Sequence, residues 1–347
     1  NKHGYSKHQP AQPLYTSADA ARALGQLQPV GYNRPVPVAP GVEVEFINAG
    51  HLLGSAFARV RIGDKVIVFG GDLGRYSRPV LPDPTPIDSA DILLVESTYG
   101  DRTHEPDDDG ARLAAIVQET VARGGKVVIP SFAVGRVGEV LYWLNQLEER
   151  RKIPTLPVYV DSPMAASALK FYEGHSAELD PGLTRGRRLS GLSTSRLTIV
   201  ASPKQSFDIA RSRTPAIVIA ASGMATGGRV LNHLEAILPD GRNTVLFVGY
   251  QAAGTRGRLL CDGAKEVKMH GRIVPVAARI ERLDSMSAHA DASELMRWLS
   301  YFSKAPAMTY LVHGEPPALE ALATRIAAER RWPVHVAQYL EKVELKL

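Results

Sequence analysis

The strongest constraint on the fold lies between residues 100 and 250, where short apolar runs alternate with helical stretches. The sequence predicts strands at 126–130, 157–161, 197–201, 216–221 and 244–249. It predicts helices at 108–123, 135–150, 163–173 and 228–237. Because strands that alternate with helices form parallel sheets through helical crossovers, we expect a parallel α/β domain here. Ligands of such sheets gather at the carboxyl ends of the strands.

Strand-rich sequence lies on both sides of this region. Before it, the sequence predicts strands at 42–47, 56–62, 65–69 and 90–98. Gly63 and Asp64 have the composition of a tight hairpin turn. A strand-rich pattern returns from about residue 266. We therefore predict one β-rich domain that an α/β insertion interrupts. The three predicted segments are 1–98, 99–268 and 269–347.

Composition limits the cofactors and the cellular setting. The chain has 347 residues, of which 44% are hydrophobic and 22% charged, as in an ordinary soluble globular protein. It contains neither the apolar run of roughly 18 residues that a membrane helix needs nor an N-terminal signal pattern. Because Cys261 is the only cysteine, the sequence excludes an internal disulfide and a multi-cysteine zinc site. A metal would need His, Asp or Glu ligands, and we expect a reducing, cytoplasmic setting.

Polar residues recur at the ends of predicted strands. They are His51, Asp72, Glu96, His289 and His313. Each of them, taken alone, also fits a turn, a helix cap or a surface position. Because the strand ends of one sheet share one rim, the five side chains are expected to converge. His and carboxylate ligands suit Zn²⁺, and an aspartate often bridges two metal ions.

Seven basic residues cluster between Gly182 and Arg213 against a single acid, Asp208. They are Arg185, Arg187, Arg188, Arg196, Lys204, Arg211 and Arg213. One interpretation is a solvated basic face. The other is a track for the phosphate backbone of a nucleic acid, which Lys and Arg attract without reading its sequence. Composition alone does not choose between them.

Seven short motifs, in order, carry a family resemblance. They are "AGHLLGSA", "FGGDLGR", "ESTYGDR", "SFAVGR", "SGMATGGR", "SAHAD" and "VHGE". This set resembles the β-CASP branch of the metallo-β-lactamase-fold nucleases, a branch that includes RNA-processing enzymes. The resemblance runs from about residue 42 to 315. It implies an αββα metallo-β-lactamase sandwich into which a parallel α/β β-CASP domain is inserted.

The same resemblance assigns roles to the five polar residues. It implies a site for two Zn²⁺ ions, in which His51 binds the first, His313 binds the second and Asp72 bridges both. Glu96 matches the acidic motif associated with the insertion, and His289 matches the histidine near the scissile phosphate. We expect hydrolysis of RNA in which His289 protonates the leaving oxygen and Glu96 orients its imidazole.

One departure from the family pattern concerns the remaining ligands. In the family, a His-x-His-x-Asp-His signature upstream of the motif of His51 supplies most of them. This chain contains no such sequence, and its only histidines before His51 are His3 and His8. We therefore expect the chain to lack the N-terminal part of the first domain and to bind zinc weakly.

Six further residues are candidates for holding RNA. They are Arg136, Ser222, Gly223, Met224, Tyr250 and Arg256. Arg136 also fits a surface arginine, and the Ser222–Met224 stretch also fits a tight turn before a helix.

Two other functions stay open at this point, a catalytically inactive RNA-binding paralogue and a DNA-directed nuclease of the same fold. The RNA-acting branches of the family resemble this chain in having histidine at the position of His313, whereas the DNA-acting branches tend to have a smaller apolar residue. RNA is the expected partner, and a homodimer is a further prediction. The sequence does not distinguish an endonuclease from an exonuclease.

Overall fold

The computed structural model describes residues 13–106, 108–184 and 190–344, and these contain fifteen strands. In chain order they are β1 (Val36–Ala39), β2 (Val42–Asn48), β3 (Ala56–Ile62), β4 (Lys65–Phe69), β5 (Ile92–Glu96), β6 (Val127–Pro130), β7 (Val158–Asp161), β8 (Leu197–Ile199), β9 (Ile217–Ala220), β10 (Thr244–Phe247), β11 (Glu266–Met269), β12 (Arg272–Pro275), β13 (Arg279–Arg282), β14 (Met308–Val312) and β15 (Val334–Val336).

The same residues contain ten α-helices, several of which begin at a capping residue that the sequence provides. Ser162 and Ser202 each accept a backbone hydrogen bond and are followed by proline at the first helical position. Asp291 and Glu294 form a capping box. The helices are α1 (Ser17–Leu24), α2 (Ala111–Ala122), α3 (Arg136–Glu149), α4 (Pro163–Gly174), α5 (Pro181–Thr184), α6 (Pro203–Arg211), α7 (Val230–Ile237), α8 (Arg256–Cys261), α9 (Ala292–Leu299) and α10 (Pro316–Arg330).

The first sheet has seven strands in the order β1-β2-β3-β4-β5-β14-β15. Strands β1 to β4 pair antiparallel, and β4, β5, β14 and β15 pair parallel. The predicted hairpin is confirmed, because Ile62 pairs with Lys65 across Gly63 and Asp64. Buried apolar side chains of the sheet pack against α9 and α10. Phe57, Val68 and Leu93 of the sheet share one buried cluster with Trp298 of α9 and Leu322 of α10.

The second sheet has six strands, all parallel, in the order β13-β10-β6-β9-β7-β8. One apolar cluster packs α2, α3 and α4 against it, and another packs α6, α7 and α8 against it. A parallel sheet buried on both faces explains why its strands are continuous apolar runs such as "VVIP" and "IVIA". The predicted parallel α/β architecture is therefore confirmed.

The pairing of β13 indicates where the inserted domain ends in the sequence. This strand pairs parallel with β10, so it belongs to the six-stranded sheet although it follows the predicted boundary at residue 268. The short hairpin of β11 and β12 precedes it. The three-segment division stays a prediction, and the pairing of β13 favours a return to the first domain after Arg282.

None of the described helices combines the length and the apolar character that a membrane-spanning helix needs.

Candidate metal centre

Four of the five predicted polar residues lie at one edge of the seven-stranded sheet. Glu96 is the last residue of β5, and His51, Asp72 and His313 follow β2, β4 and β14. The fifth, His289, does not end a strand of this sheet. It lies in the loop between β13 of the other sheet and α9, and the Ala290 N–H donates to the Leu73 carbonyl at 2.9 Å. The expectation that all five end strands of a shared sheet was therefore wrong for His289, although the loop brings it to the same place.

Asp72 lies between the two histidines that the family resemblance assigns to different metal ions. Its Oδ2 is 3.7 Å from Nε2 of His51, and its Oδ1 is 3.2 Å from Nδ1 of His313. The side chains of Asp72 and His313 are 42% and 56% exposed, so the centre is open to solvent on this side. A carboxylate whose two oxygens face two different imidazoles has the arrangement of a bridging ligand.

His51 is held in a form that suits a metal ligand. The ring is buried, and its Nδ1 lies 3.2 Å from the carbonyl oxygen of Ala288. Donation from Nδ1 to that carbonyl leaves Nε2, the atom that faces Asp72, with a free lone pair. Burial, reinforced by the charge of His289, lowers the pKa of His51 to about 4. The imidazole is therefore neutral near pH 7, as ligation requires.

The buried Glu96 and the partly buried His289 form an ion pair next to Asp72. Nδ1 of His289 is 3.0 and 3.2 Å from the two carboxylate oxygens of Glu96. Burial alone would neutralise both groups, but the charge of each partner more than offsets it. The pKa of Glu96 is therefore lowered and that of His289 is raised. With Nδ1 directed at Glu96, the charged form of His289 carries its second proton on Nε2.

The fully buried Glu96 has little capacity left for a metal. Besides His289, it accepts hydrogen bonds from the Leu73 N–H at 2.6 Å and from the Thr98 hydroxyl. One oxygen each of Glu96 and Asp72 and one nitrogen each of His289 and His313 lie within 4.8 Å of one another, so distance alone would allow a four-ligand site. Because its oxygens already accept these hydrogen bonds, Glu96 is better suited to pair with His289 than to bind a metal ion.

Two residues of this site were missed by sequence reasoning. The Thr98 hydroxyl bonds Glu96 and lies 3.4 Å from Nδ1 of His313. His104, which is buried, has its Nε2 3.0 Å from the carbonyl oxygen of His289. Thr98 could have been found, because residues two apart on an extended segment point to the same side. The contact of His104 spans 185 residues of sequence, and no local pattern indicates it.

The loop of His51 packs directly on the backbone that follows Asp72. A Cβ at Gly74 would clash with the backbone carbonyl of Gly50 and lie 2.6 Å from the backbone nitrogen of His51. Gly50 itself has a φ of +65°, and a Cβ there would lie 2.7 Å from the carbonyl oxygen of Pro82. Neither position tolerates a side chain, since backbone rather than a flexible side chain is in the way.

We expect Gly74→Ala to destabilise the fold by about 1–3 kcal/mol, the usual cost of overpacking, and to weaken metal binding by displacing His51. Urea unfolding and zinc titration measure the two effects. Gly174→Ala is the matched control, because a Cβ at that helix end meets nothing within 4 Å. A Gly74→Ala protein as stable as the Gly174→Ala control, with unchanged zinc affinity, would contradict the close approach.

The predicted RNA-holding residues occupy different environments. Arg136 is buried, and its guanidinium pairs with Glu139, which also pairs with Arg78. Tyr250 is half-buried and lines a cavity that adjoins Thr98. Tyr250 therefore lies beside the centre, and the buried Arg136 lines a second cavity, which His51 also lines. The roles of both stay predictions.

Ser222, Gly223 and Met224 lie in one braced loop after β9, and Arg256 begins α8. The Ser222 hydroxyl accepts hydrogen bonds from the backbone N–H groups of Thr226 and Gly227, and the carbonyl of Met224 accepts one from Gly257. Gly223 packs so closely on Phe132 that a Cβ would lie 2.7 Å from its ring. The guanidinium of Arg256 donates to the carbonyls of Ala225 and Lys268. In this structure Arg256 braces the loop, and a contact of any of these residues with RNA stays a prediction.

The predicted basic cluster is only partly described. Arg185, Arg187 and Arg188 lie outside the described residues. Arg211 and Arg213, at the end of α6 and just after it, are exposed. The choice between a solvated face and a phosphate track stays open.

The two sheets and the cluster of histidines and carboxylates at the edge of the first define a metal-dependent hydrolase of mixed α/β architecture. Two family models match the chain, the Beta-Casp domain over residues 137–260 and the Zn-dependent metallo-hydrolase RNA specificity domain over residues 273–337. The chain belongs to the β-CASP family of metallo-β-lactamase-fold proteins.

Three relatives illustrate its place in this family. Ribonuclease TTHA0252 of Thermus thermophilus is 36% identical over 337 residues, which cover 96% of this chain and 76% of the relative. The RNase J-like protein of Methanocaldococcus jannaschii is 32% identical, with 87% and 70% covered. Transcription termination factor FttA of Methanosarcina mazei is 32% identical, with 95% and 54% covered. The chain therefore spans about half the length of FttA.

Proposed function

We propose that this chain is the catalytic part of a zinc-dependent ribonuclease that hydrolyses phosphodiester bonds in RNA. The observation that carries the proposal is Asp72, whose two oxygens face His51 and His313 separately, next to the ion pair of Glu96 and His289. The family models and two relatives named as ribonucleases support the same reaction class. Under this proposal the RNA-binding paralogue and the DNA-directed nuclease are the alternatives that experiment excludes.

The donor types at the centre fit Zn²⁺. His51 and His313 would hold one ion each, and Asp72 would contact both. Zn²⁺ held there would supply the Lewis acidity that activates water and neutralises charge on the phosphoryl oxygens. The number of donors does not fill two coordination spheres, because zinc in a catalytic site usually has three protein ligands of its own.

The protein's own acid–base chemistry centres on His289. Glu96 favours the charged imidazole by raising its pKa and fixes its orientation through Nδ1. The proton on Nε2 is then available to the oxygen that leaves when the phosphorus–oxygen bond breaks. Glu96 acts only through His289, since its own oxygens are taken up by hydrogen bonds inside the protein.

We expect the chain to retain clearly fewer than two tightly held zinc ions after dialysis. The physical reason is the ligand count, which is three proposed side chains for two ions. Metal analysis of the purified chain measures the zinc content. Close to two ions per chain would show that residues beyond the proposed three complete the site.

The proposed function is tested with a labelled single-stranded RNA and a DNA of the same sequence. The zinc-saturated protein is expected to cleave the RNA, to stop when a chelator is added and to resume when Zn²⁺ is restored. Cleavage of the DNA alone would favour the DNA-directed alternative. Binding of the RNA without cleavage at saturating zinc would favour the inactive paralogue.

The basic cluster gives a separate prediction about RNA affinity. Replacing Arg185, Arg187 and Arg188 together with alanine is expected to weaken binding of all RNA sequences alike and to flatten its dependence on salt. Binding measured over a range of salt concentrations tests this. An unchanged salt slope would assign the cluster to solvated surface.

Two further properties rest on features of the sequence alone. The single Cys261 supports a reducing compartment such as the cytoplasm. The homodimer stays a prediction.

A further inference from the structure

A polar cavity of about 230 Å³ adjoins the proposed active centre. It reaches Thr98, whose hydroxyl contacts Glu96 and lies within 3.5 Å of Nδ1 of both His289 and His313. Its walls come from the segments that follow β5, β10 and β14 and from the end of β13. The cavity therefore lies where the strand ends of the two sheets meet. Only Thr98 separates it from the proposed catalytic pair of Glu96 and His289.

The aromatic wall of the cavity is fixed in place. Tyr250 packs edge-to-face on the buried Tyr99, with ring centroids 5.5 Å apart. Its hydroxyl is hydrogen-bonded to Glu315, which also accepts the Ala253 N–H at 3.2 Å. Because both ends of the ring are restrained, Tyr250 offers a preorganised surface at little entropic cost.

The charges in the cavity are already balanced. Three arginines line it, and each is paired with a carboxylate of its own. The pairs are Arg102 with Asp101, Arg258 with Asp262, and Arg282 with Asp284. Glu315 adds a further negative charge to the lining. A phosphate would have to compete with these carboxylates, so the cavity is poorly suited to an anion.

Arginines that are paired with a carboxylate keep unused N–H donors, which can bind a neutral ligand. Within the described residues, Arg258 reaches Asp262 through Nε alone, and Arg102 reaches Asp101 through Nε and Nη2. Both Nη atoms of Arg258 and one of Arg102 therefore remain as donors, and the carboxylates of Asp101 and Glu315 are acceptors at the same walls. Donors and acceptors beside an aromatic ring are the means by which proteins recognise unstacked RNA bases.

We propose that this cavity binds one nucleobase of the RNA next to the cleaved bond and gives the enzyme a base preference there. The proposal rests on the proposed function. The volume corresponds to roughly eight water molecules, which is the scale of a single base rather than of several nucleotides. Stacking on an aromatic side chain with hydrogen bonds to the base edge then sets the preference.

The kinetic test uses short RNAs that differ in one base at each position flanking the cleavage site. The zinc-saturated protein is expected to show about a tenfold spread in kcat/KM at one of these positions, the effect of about one hydrogen bond. Arg258→Ala is expected to reduce that spread to within about threefold. Arg242→Ala is the matched control, since Arg242 forms the same kind of pair with Asp240 before β10, at the opposite end of that strand from Tyr250.

A binding test separates this proposal from the proposed function. Nuclear magnetic resonance titrations with the four nucleosides and with inorganic phosphate need no cleavage. A nucleoside is expected to shift the ring signals of Tyr250, and to do so less in Arg258→Ala, whereas phosphate leaves them unchanged. Binding of phosphate in place of a nucleoside, or a base preference that is absent or survives Arg258→Ala, would overturn the proposal. RNA cleavage without any base preference would overturn it and leave the proposed function intact.

Discussion

Asp72→Ala is expected to remove bound metal and RNA cleavage together, with cleavage falling to the uncatalysed background. Asp72 is the one proposed ligand that faces both His51 and His313, so its loss weakens both metal positions at once. Its side chain is 42% exposed, so the fold is expected to survive its loss. Zinc analysis, an RNA cleavage assay and thermal unfolding of the same preparation measure the three properties.

Asp88→Ala is the control for this substitution. Asp88 is another aspartate near the same sheet, its side chain is 82% exposed, and it precedes β5, at the opposite end of that strand from Glu96. It should keep zinc content and activity. If Asp72→Ala retained as much zinc as the unaltered protein or cleaved RNA at the normal rate, the assignment of Asp72 as a bridging ligand would fail.

The sequence predicted local elements of this fold better than it predicted their partners. The hairpin of β3 and β4 follows from alternating residues and the Gly63-Asp64 turn, which are local properties. The membership of β13 could not be predicted in the same way. Its residues are compatible with either sheet, and pairing with β10 is decided by packing across the whole inserted domain.

The candidate site shows the same division. The sequence shows histidines and carboxylates directly after predicted strands. Because strand ends share an edge of the sheet, their convergence could be predicted. The position of His289 depends instead on a loop that the Leu73 carbonyl and His104 hold from two sides. The ion pair of Arg136 could have been predicted, since Glu139 follows it by three residues on a helix and such residues are neighbours.

His289→Ala is expected to slow RNA cleavage by about 10² to 10⁴, the usual contribution of general acid catalysis, while zinc content stays unchanged. The reason is the separation of roles at the centre, where His51, Asp72 and His313 are the proposed ligands and His289 is paired with Glu96. His335→Ala is the matched control, because His335 forms a similar pair with Glu341 away from the site. Its cleavage rate should equal that of the unaltered protein.

A second substrate shows whether the lost function is proton donation. Bis(p-nitrophenyl) phosphate has a leaving group that departs without a proton, so His289→Ala should cleave it nearly as fast as the unaltered protein does. Equal losses on this diester and on RNA would instead indicate a damaged site. Loss of zinc from His289→Ala would make His289 a ligand, as its place within 4.8 Å of Asp72 and His313 also allows. A normal rate on RNA would mean that the leaving oxygen obtains its proton elsewhere, and His289 would then be a structural residue.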